Sequence, residues 1–203
     1  MFKGQQEILT PIILMGITVA VISSVYFWGV PLIEKNKDSL YLRKSEIFMN
    51  ELSDEIKYVA NNGGREEINF NVPGNLRFFP DENYIEMNIT TDGTIYSSKG
   101  EIYFVMTSGN IVSGSPIGVW GKDEPFILKA YTKNIGDKYM TSYNLQFIRI
   151  CSGSRCYMID LEGNRFVVGG NHKIIIENMG TGGPSVDNNG YEVTYSKIKI
   201  SFL

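Results

Sequence analysis

Residues 8–33 contain no charged side chain and are predominantly apolar. At about 1.5 Å of rise per residue, a helix of this length is long enough to cross a hydrocarbon core of roughly 30 Å. Tyr26 and Trp28 lie near the carboxyl end of the run, where amphipathic aromatic rings prefer the headgroup layer. The run therefore predicts one membrane-spanning helix close to the amino terminus.

Two other interpretations of this run are open. A cleaved secretory signal peptide has a shorter apolar core that ends at small residues. Ser23 and Ser24 offer such residues, but the apolar stretch continues past them through residues 25–28. A buried core helix would need other segments that are apolar on all sides to surround it, and the sequence has none. A membrane helix is the interpretation that fits the run best.

After Pro31 the pattern becomes amphipathic, and apolar or small residues recur at spacings of three and four. This spacing places them on one face of a helix that ends near Ala60, before the turn-forming residues 61–64. Proline removes a backbone hydrogen bond, so a bend is expected at Pro31. The stripe either packs on the chain's own domain or meets neighbouring copies as a stem, and both alternatives stay open. Its members are Leu42, Ser45, Met49, Leu52, Ile56 and Val59.

From Arg65 onward the hydrophobic period changes to two, and turn residues separate short runs rich in β-branched and aromatic residues. Such a pattern indicates an antiparallel β-sandwich or barrel rather than a parallel α/β fold. We therefore predict an α+β fold, a long helix followed by an antiparallel β-sandwich-like head that folds without the helix. The predicted strands cover residues 68–72, 84–90, 102–106, 126–132, 142–150, 157–161, 165–168, 173–177 and 191–202.

Two details of the last strands are also predicted. The alternation in residues 191–202 slips at Ser196 and Lys197, which indicates a β-bulge there. The glycine-rich residues 180–190 are expected to form a loop that joins the last two strands.

Cys151 and Cys156 lie in a Cys-Ser-Gly-Ser-Arg-Cys segment between two strand-like runs. A hairpin with four intervening residues brings its flanks close enough for a disulfide. Two free thiols are the alternative, whereas a zinc site would need ligands that the single histidine, His172, cannot complete. A disulfide would place the domain in an oxidising compartment, unless the organism is a hyperthermophile, whose cytosolic proteins also contain disulfides.

Membrane orientation is contested by the charges that flank the apolar run. Lys3 precedes it, and Lys35, Lys37, Arg43 and Lys44 follow it. Counting lysine and arginine alone places the carboxyl side in the cytoplasm, whereas the cysteine pair favours an external domain. Asn88 opens the Asn-Ile-Thr triplet, a candidate glycosylation site that would also favour the outside.

Composition argues against several classes of function. A net charge of −3 gives no basic footprint, so nucleic acid is not an expected partner. The sequence has one histidine and lacks a nucleophile elbow, a phosphate-binding loop and the spacing of a calcium loop. It therefore offers few groups for catalysis. We expect no enzyme, no catalytic residue, no cofactor and no metal.

The amino-terminal sequence Lys3-Gly4-Gln5 before an apolar helix resembles the precursors of archaeal type IV pilins, a family with class III signal peptides that includes archaeal flagellum filament and accessory subunits. The resemblance implies cleavage between Gly4 and Gln5 by a prepilin peptidase. It also implies residues 1–4 as leader, 5–33 as transmembrane and assembly helix, 34–64 as amphipathic stem and turn, and 65–203 as head. The implied partners are the membrane, the peptidase and other pilin-like subunits.

The resemblance has one departure, and two functions follow from it. Some family members carry a glutamate as the fifth mature residue, whereas this chain has Leu9 there and Glu7 two positions earlier. The first function is a major or minor filament subunit assembled through the helix, for which Glu7, Ile17 and Pro31 are the candidate assembly residues. The second is a non-polymerising surface protein whose β-domain binds a partner such as the surface layer or a filament motor component. The expected location is the cell membrane with an extracellular domain, or an extracellular filament.

Overall fold

The computed structural model describes residues 3–108, 111–112, 115–187 and 189–203. Within these residues one long α-helix, α1 (Lys3–Asn62), is followed by a predominantly β-stranded head. The strands are β1 (Arg65–Phe70), β2 (Asn75–Phe79), β3 (Tyr84–Thr91), β4 (Ile102–Val105), β5 (Ile111–Val112), β6 (Ser115–Val119), β7 (Phe126–Ile135), β8 (Lys138–Phe147), β9 (Arg149–Ser152), β10 (Arg155–Glu162), β11 (Phe166–Gly169), β12 (His172–Val186) and β13 (Glu192–Phe202).

Helix α1 is continuous from the apolar run into the amphipathic segment and includes both Pro11 and Pro31. It ends two residues later than the predicted position, Ala60. Gly63 and Gly64 terminate it because both adopt positive φ angles, 75° and 91°, which residues with a Cβ rarely adopt. The Gly63 N–H donates to the carbonyl oxygen of Val59 at 2.9 Å and satisfies one of the last helical carbonyls.

The strands form two sheets. The first sheet has the order β1-β12-β13-β10-β9-β6-β5, and the second has the order β11-β2-β3-β8-β7-β4. Helix α1 contacts strands of both, including β12 and β13 of the first sheet and β8 and β3 of the second. The expected layout of a long amino-terminal helix and a β-rich head is confirmed.

The prediction of wholly antiparallel pairing is wrong for the first sheet. Strand β10 runs parallel to β13, and β6 runs parallel to β9, whereas the second sheet is antiparallel throughout. Between β10 and β13 the chain crosses to the second sheet, forms β11 there and returns through β12. This long crossover is what a parallel pair requires, because a tight hairpin can connect only antiparallel neighbours.

The glycine-rich segment departs from its predicted loop conformation. Strand β12 continues through Gly180, Gly182 and Gly183 to Val186, so only residues 187–191 connect it to β13. Two register shifts, after Asn178 and after Gly182, each insert one extra residue into β12 opposite β13. The predicted bulge therefore lies on the partner strand rather than at Ser196 itself. Gly180 and Gly183 have positive φ angles of 102° and 97°, and this backbone freedom lets the strand bulge instead of ending.

Three strands of the described residues, β2, β5 and β6, were not predicted from the sequence. Strand β2 alternates clearly, with Leu76 and Phe78 buried and Arg77 exposed between them, but it is short and follows the Pro73-Gly74 turn directly. Strand β6 contains Pro116 and Gly118, residues that argue against a strand in a single sequence. Gly118 is required by close packing, because a Cβ there would lie 2.9 Å from a methyl carbon of Ile150.

Cys151 and Cys156 are joined by a disulfide that links β9 to β10 across their hairpin. The sequence left a disulfide and a pair of free thiols open, and the structure has the disulfide. The two residues also face each other in the strand register, so the bond closes a turn that backbone pairing already defines.

Asp123 organises the turn that follows β6. Its carboxylate accepts hydrogen bonds from the Val119 N–H at 2.7 Å, the Ser108 N–H at 3.0 Å, the Ser108 hydroxyl at 2.7 Å and the Thr107 hydroxyl at 3.1 Å. These bonds, that from Val119 first, lower the pKa of Asp123 from 3.8 to about 2. The ionised carboxylate is therefore the form that this turn requires.

Replacing Asp123 with asparagine is expected to lower the free energy of unfolding at pH 7 by roughly 1–2 kcal/mol, because it loses charge-assisted acceptors. Because the folded-state pKa lies below the unfolded one, the carboxylate's stabilisation is present above about pH 4 and lost as the pH falls to about 2. Between about pH 4 and pH 2 the variant should therefore lose less stability than the unmodified chain, as measured by denaturant titrations at several pH values. Asp137→Asn, at an exposed turn position, is the control, and its stability should depend on pH as that of the unmodified chain does.

Candidate assembly and anchoring site

The amino-terminal half of α1 has no packing partner within the described residues. Its most apolar window is entirely unburied, and α1 is the one helix in the described part of the chain that is long and apolar enough to cross a membrane. Ile17 is 60% exposed, and Phe27 and Trp28 are 79% and 84% exposed near the end of the run. An uncovered apolar surface of this extent is typical of a segment that lipid or other helices cover.

One side-chain hydroxyl of this half, that of Thr18, is bonded inside the helix. The Thr18 hydroxyl donates to the carbonyl oxygen of Leu14 at 2.8 Å, so it presents no unpaired donor at the helix surface. A hydroxyl bonded to its own helix in this way is compatible with a hydrocarbon environment, where unpaired polar groups are costly. Pro31 lies at an exposed position and is likewise helical.

The predicted processing site lies at the start of the described chain. Met1 and Phe2 of the expected leader lie outside the described residues, and the helix begins at Lys3. Gly4, Gln5 and Glu7 therefore belong to the first turns of α1. The cleavage between Gly4 and Gln5 and the assembly role of Glu7 stay predictions.

The carboxyl-terminal half of α1 packs into the head. All six residues of the amphipathic stripe are fully buried, and the five apolar ones join the core residues of both sheets in one cluster. The prediction that the stripe packs on the chain's own domain is confirmed. A contact between this stripe and neighbouring copies is excluded as long as the head is folded, because the head already covers it.

A tyrosine pair connects the middle of α1 to the second sheet. Tyr143 on β8 is fully buried and donates to the carbonyl oxygen of Leu42 at 2.7 Å. The hydroxyls of Tyr143 and Tyr96 are 3.0 Å apart, and Tyr96 also donates to the Glu46 carboxylate at 3.0 Å. Burial raises the pKa of Tyr96 to about 12 and also raises that of Tyr143. Both hydroxyls therefore keep their protons at neutral pH and remain donors to the helix.

Further hydrogen bonds hold both ends of the packed segment. Near the apolar run, the Gly93 N–H donates to the Asp38 carboxylate at 2.7 Å. At the other end, the Asn178 amide donates to the carbonyl oxygen of Val59 at 2.8 Å, and the Ser196 hydroxyl donates to that of Ala60 at 3.1 Å. Two of the last four carbonyls of α1 therefore accept hydrogen bonds from the first sheet. The apolar half of the helix therefore continues directly from a segment that is held in the head.

The remaining predicted site residues lie apart from this junction. Asn88 is partly buried in the middle of β3, and its side-chain oxygen accepts a hydrogen bond from Ser142 on β8. Modified sequons normally lie in exposed loops, which this position does not resemble. Among the described residues, no group of three or more His, Cys, Asp or Glu side chains is arranged to hold a metal ion.

Sequence reasoning missed the residues that make the junction. Tyr96, Tyr143 and Asn178 are separated from their helix partners by 50, 101 and 119 positions. The only local signal was Tyr143's place in a β-rich run. A scan against protein-family models found no match for the chain, and searches of curated proteins and of solved structures found no similar protein.

Proposed function

We propose that this chain is a structural subunit, major or minor, of an archaeal pilus-like surface filament, and that it assembles through the apolar half of α1. The observation that carries this proposal is the division of one continuous helix into an uncovered apolar half and a half embedded in the head. The resemblance of Lys3-Gly4-Gln5 to a prepilin cleavage site supports it. The head, with its two sheets arranged as a β-sandwich, is then the displayed surface.

The proposal places the head outside the cell. The Cys151–Cys156 disulfide supports an oxidising compartment, whereas the lysine and arginine residues after the apolar run favour the opposite orientation. Before assembly the apolar half spans the membrane, and afterwards neighbouring helices replace the lipid. Leaving some twenty apolar side chains exposed to water would cost on the order of tens of kcal/mol at roughly 25 cal/mol per Å².

A second function, a non-polymerising anchored protein that binds a surface-layer or motor partner, is favoured by two specific observations. Glu7 does not occupy the fifth position of the expected mature chain. The amphipathic stripe, which could have packed against neighbouring stems, is buried in the chain's own core. Filaments sheared from cells and analysed by mass spectrometry separate the two functions, because only a filament subunit is enriched in them together with other pilin-like chains.

Replacing Ile17 with aspartate is expected to reduce membrane anchoring or filament incorporation at least tenfold. An aspartate at the centre of a membrane helix costs about 2.5–3.5 kcal/mol, and a carboxylate between packed helices costs at least as much. The measurement is the amount of full-length chain in the membrane and filament fractions, quantified with an antibody to the head. Amino-terminal sequencing of the same material tests whether the mature chain begins at Gln5.

Val167→Asp is the matched control, because Val167 is 64% exposed on β11, an edge strand of the head, outside the apolar run. This variant should fractionate like the unmodified chain. Normal fractionation of the Ile17 variant would show that the helix is not the anchoring or assembly element. Sequencing that finds Met1 intact, or a start near Ser24, would refute processing by a prepilin peptidase.

A further inference from the structure

The end of the head farthest from the apolar run carries a cleft around Trp120. The orientation of β13 locates this end. Ser196 contacts Ala60 near the end of α1. Leu203, just after the other end of β13, pairs with Lys173, which is adjacent to the position where β12 pairs with Phe70. The Phe70 ring packs on Phe48, which lies earlier in α1. The first residues of β13 therefore lie beyond the end of the helix. Strand β10 runs parallel to β13 with Arg155 opposite Glu192, so both strands begin at this tip.

Trp120 is held in a fixed position there while its ring remains accessible. Its backbone N–H donates to the carbonyl oxygen of Cys151 at 3.0 Å and so connects the Trp120 backbone to the disulfide-closed hairpin. The preceding residue, Val119, donates to the Asp123 carboxylate that organises the turn. The Trp120 side chain is nevertheless 53% exposed. A large apolar ring that is exposed on a rigid support is a typical recognition element.

The cleft beside Trp120 has both an apolar surface and hydrogen-bonding groups. Its volume is about 360 Å³, within the range of roughly 300–1,000 Å³ for small-molecule sites. The indole meets the Tyr157 ring edge to face, with ring centroids 5.8 Å apart. The other lining residues include Pro184, Arg155, Glu192 and Thr194.

The charges of the cleft select against ionic ligands. Arg155 and Glu192 form an ion pair with an N–O distance of 3.7 Å, and their side chains are 85% and 46% exposed. An anionic ligand would meet the Glu192 carboxylate, and a cationic one would meet the Arg155 guanidinium. The pair leaves the cleft without net charge, so its best ligand is neutral.

The hydrogen-bonding groups define the ligand further. The guanidinium only donates, the carboxylate only accepts, and the Thr194 hydroxyl does both. A proline-rich segment has few N–H groups to offer a carboxylate, because proline has none. A pyranose ring carries an apolar face of C–H bonds for the indole and a rim of hydroxyls that both donate and accept. We propose that the Trp120 cleft binds sugar residues of a neutral polysaccharide.

The binding site is independent of polymerisation, so it can be tested on the full chain in detergent micelles of a non-sugar detergent. The probes are three neutral oligosaccharides, maltohexaose, cellohexaose and mannohexaose, together with a heparin hexasaccharide and a proline-rich decapeptide. In a Trp28→Phe background Trp120 is the only indole. At least one neutral oligosaccharide should shift its fluorescence emission saturably, and the charged sugar and the peptide should not.

Variants measured by isothermal titration calorimetry identify the residues. Trp120→Ala should weaken binding of the active oligosaccharide at least tenfold, and Glu192→Gln, at an exposed side chain, should weaken it several-fold without affecting the core. Val119→Ala, whose side chain is exposed outside the cleft lining, is the control. Absence of binding by all three neutral oligosaccharides, binding of the peptide or heparin fragment instead, or unchanged affinity in both cleft variants would overturn the proposal.

Discussion

Replacing Asn83 with alanine is expected to lower the free energy of unfolding of the head by about 3–6 kcal/mol. Asn83 is only 7% exposed and connects the two sheets. Its amide donates to the carbonyl oxygen of Ile159 at 2.7 Å, and its side-chain oxygen accepts from the Leu161 N–H at 2.9 Å, both on β10. Its backbone carbonyl accepts from the Phe147 N–H at the end of β8, at 3.0 Å. Alanine would leave buried groups on β10 unpaired.

The backbone conformation of Asn83 adds to this effect. Its φ and ψ angles, 55° and 41°, are left-handed, a conformation that asparagine tolerates better than alanine. Asn83→Gly separates the two contributions, because glycine accepts the backbone angles but supplies neither hydrogen bond. The glycine variant should therefore recover about 1–2 kcal/mol relative to alanine.

The measurement is urea denaturation of a soluble fragment of residues 35–203, which keeps every residue that is buried in the stretch of α1 from Pro11 to Asn62. Asn144→Ala on β8, at a partly exposed position, is the control. It removes an asparagine side chain that does not connect the two sheets. An alanine variant at position 83 within 1 kcal/mol of the unmodified fragment would contradict the assigned role.

The main elements of this fold could be predicted because their signals are local. The uninterrupted apolar run of residues 8–33 can form only a few structures, and the three-four spacing from Leu42 to Val59 specifies a helix with one buried face. Alternation located most strands of the head, and the spacing of Cys151 and Cys156 indicated a hairpin disulfide. Each of these patterns is contained within one segment.

Strand direction and strand ends could not be predicted, because they depend on distant pairing. Alternation is the same in parallel and antiparallel strands, so nothing in residues 155–162 or 192–202 indicated that β10 and β13 run in the same direction. The glycines of β12 have the local preferences of a loop, yet pairing with β13 extends the strand through them. Tertiary context overrides local propensity at such positions.

The junction and the tip cleft were hidden for a related reason. Tyr143 and Tyr96 are ordinary residues of a tyrosine-rich sequence, and only the fold brings their hydroxyls to Leu42 and Glu46. Trp120 follows Gly118 in a segment with weak strand character, and its exposure follows from how the hairpin and the Asp123 turn hold it. Outside a periodic segment, the exposure of a single ring is set by the fold and cannot be inferred from the sequence.

A fragment of residues 65–203 is expected not to fold, whereas a fragment of residues 35–203 should fold as a soluble domain. The expectation from the sequence, that the head folds without the helix, does not take account of the core residues that α1 supplies. Those large apolar residues are buried to at least 96%, namely Leu42, Phe48, Met49, Leu52, Ile56 and Val59. Their burial stabilises the head by on the order of 10 kcal/mol, comparable with the entire stability of a typical domain.

Two substitutions in the longer fragment test the same idea without truncation. Leu52 is fully buried, and Ile47, five residues earlier on the same helix, is 64% exposed. Leu52→Asp should abolish the cooperative unfolding transition and the near-ultraviolet circular dichroism of the fragment, because a carboxylate would enter the shared core without a partner. Ile47→Asp should leave both unchanged. Cooperative unfolding of residues 65–203 with the midpoint of the longer fragment would show instead that α1 contributes nothing to the stability of the head.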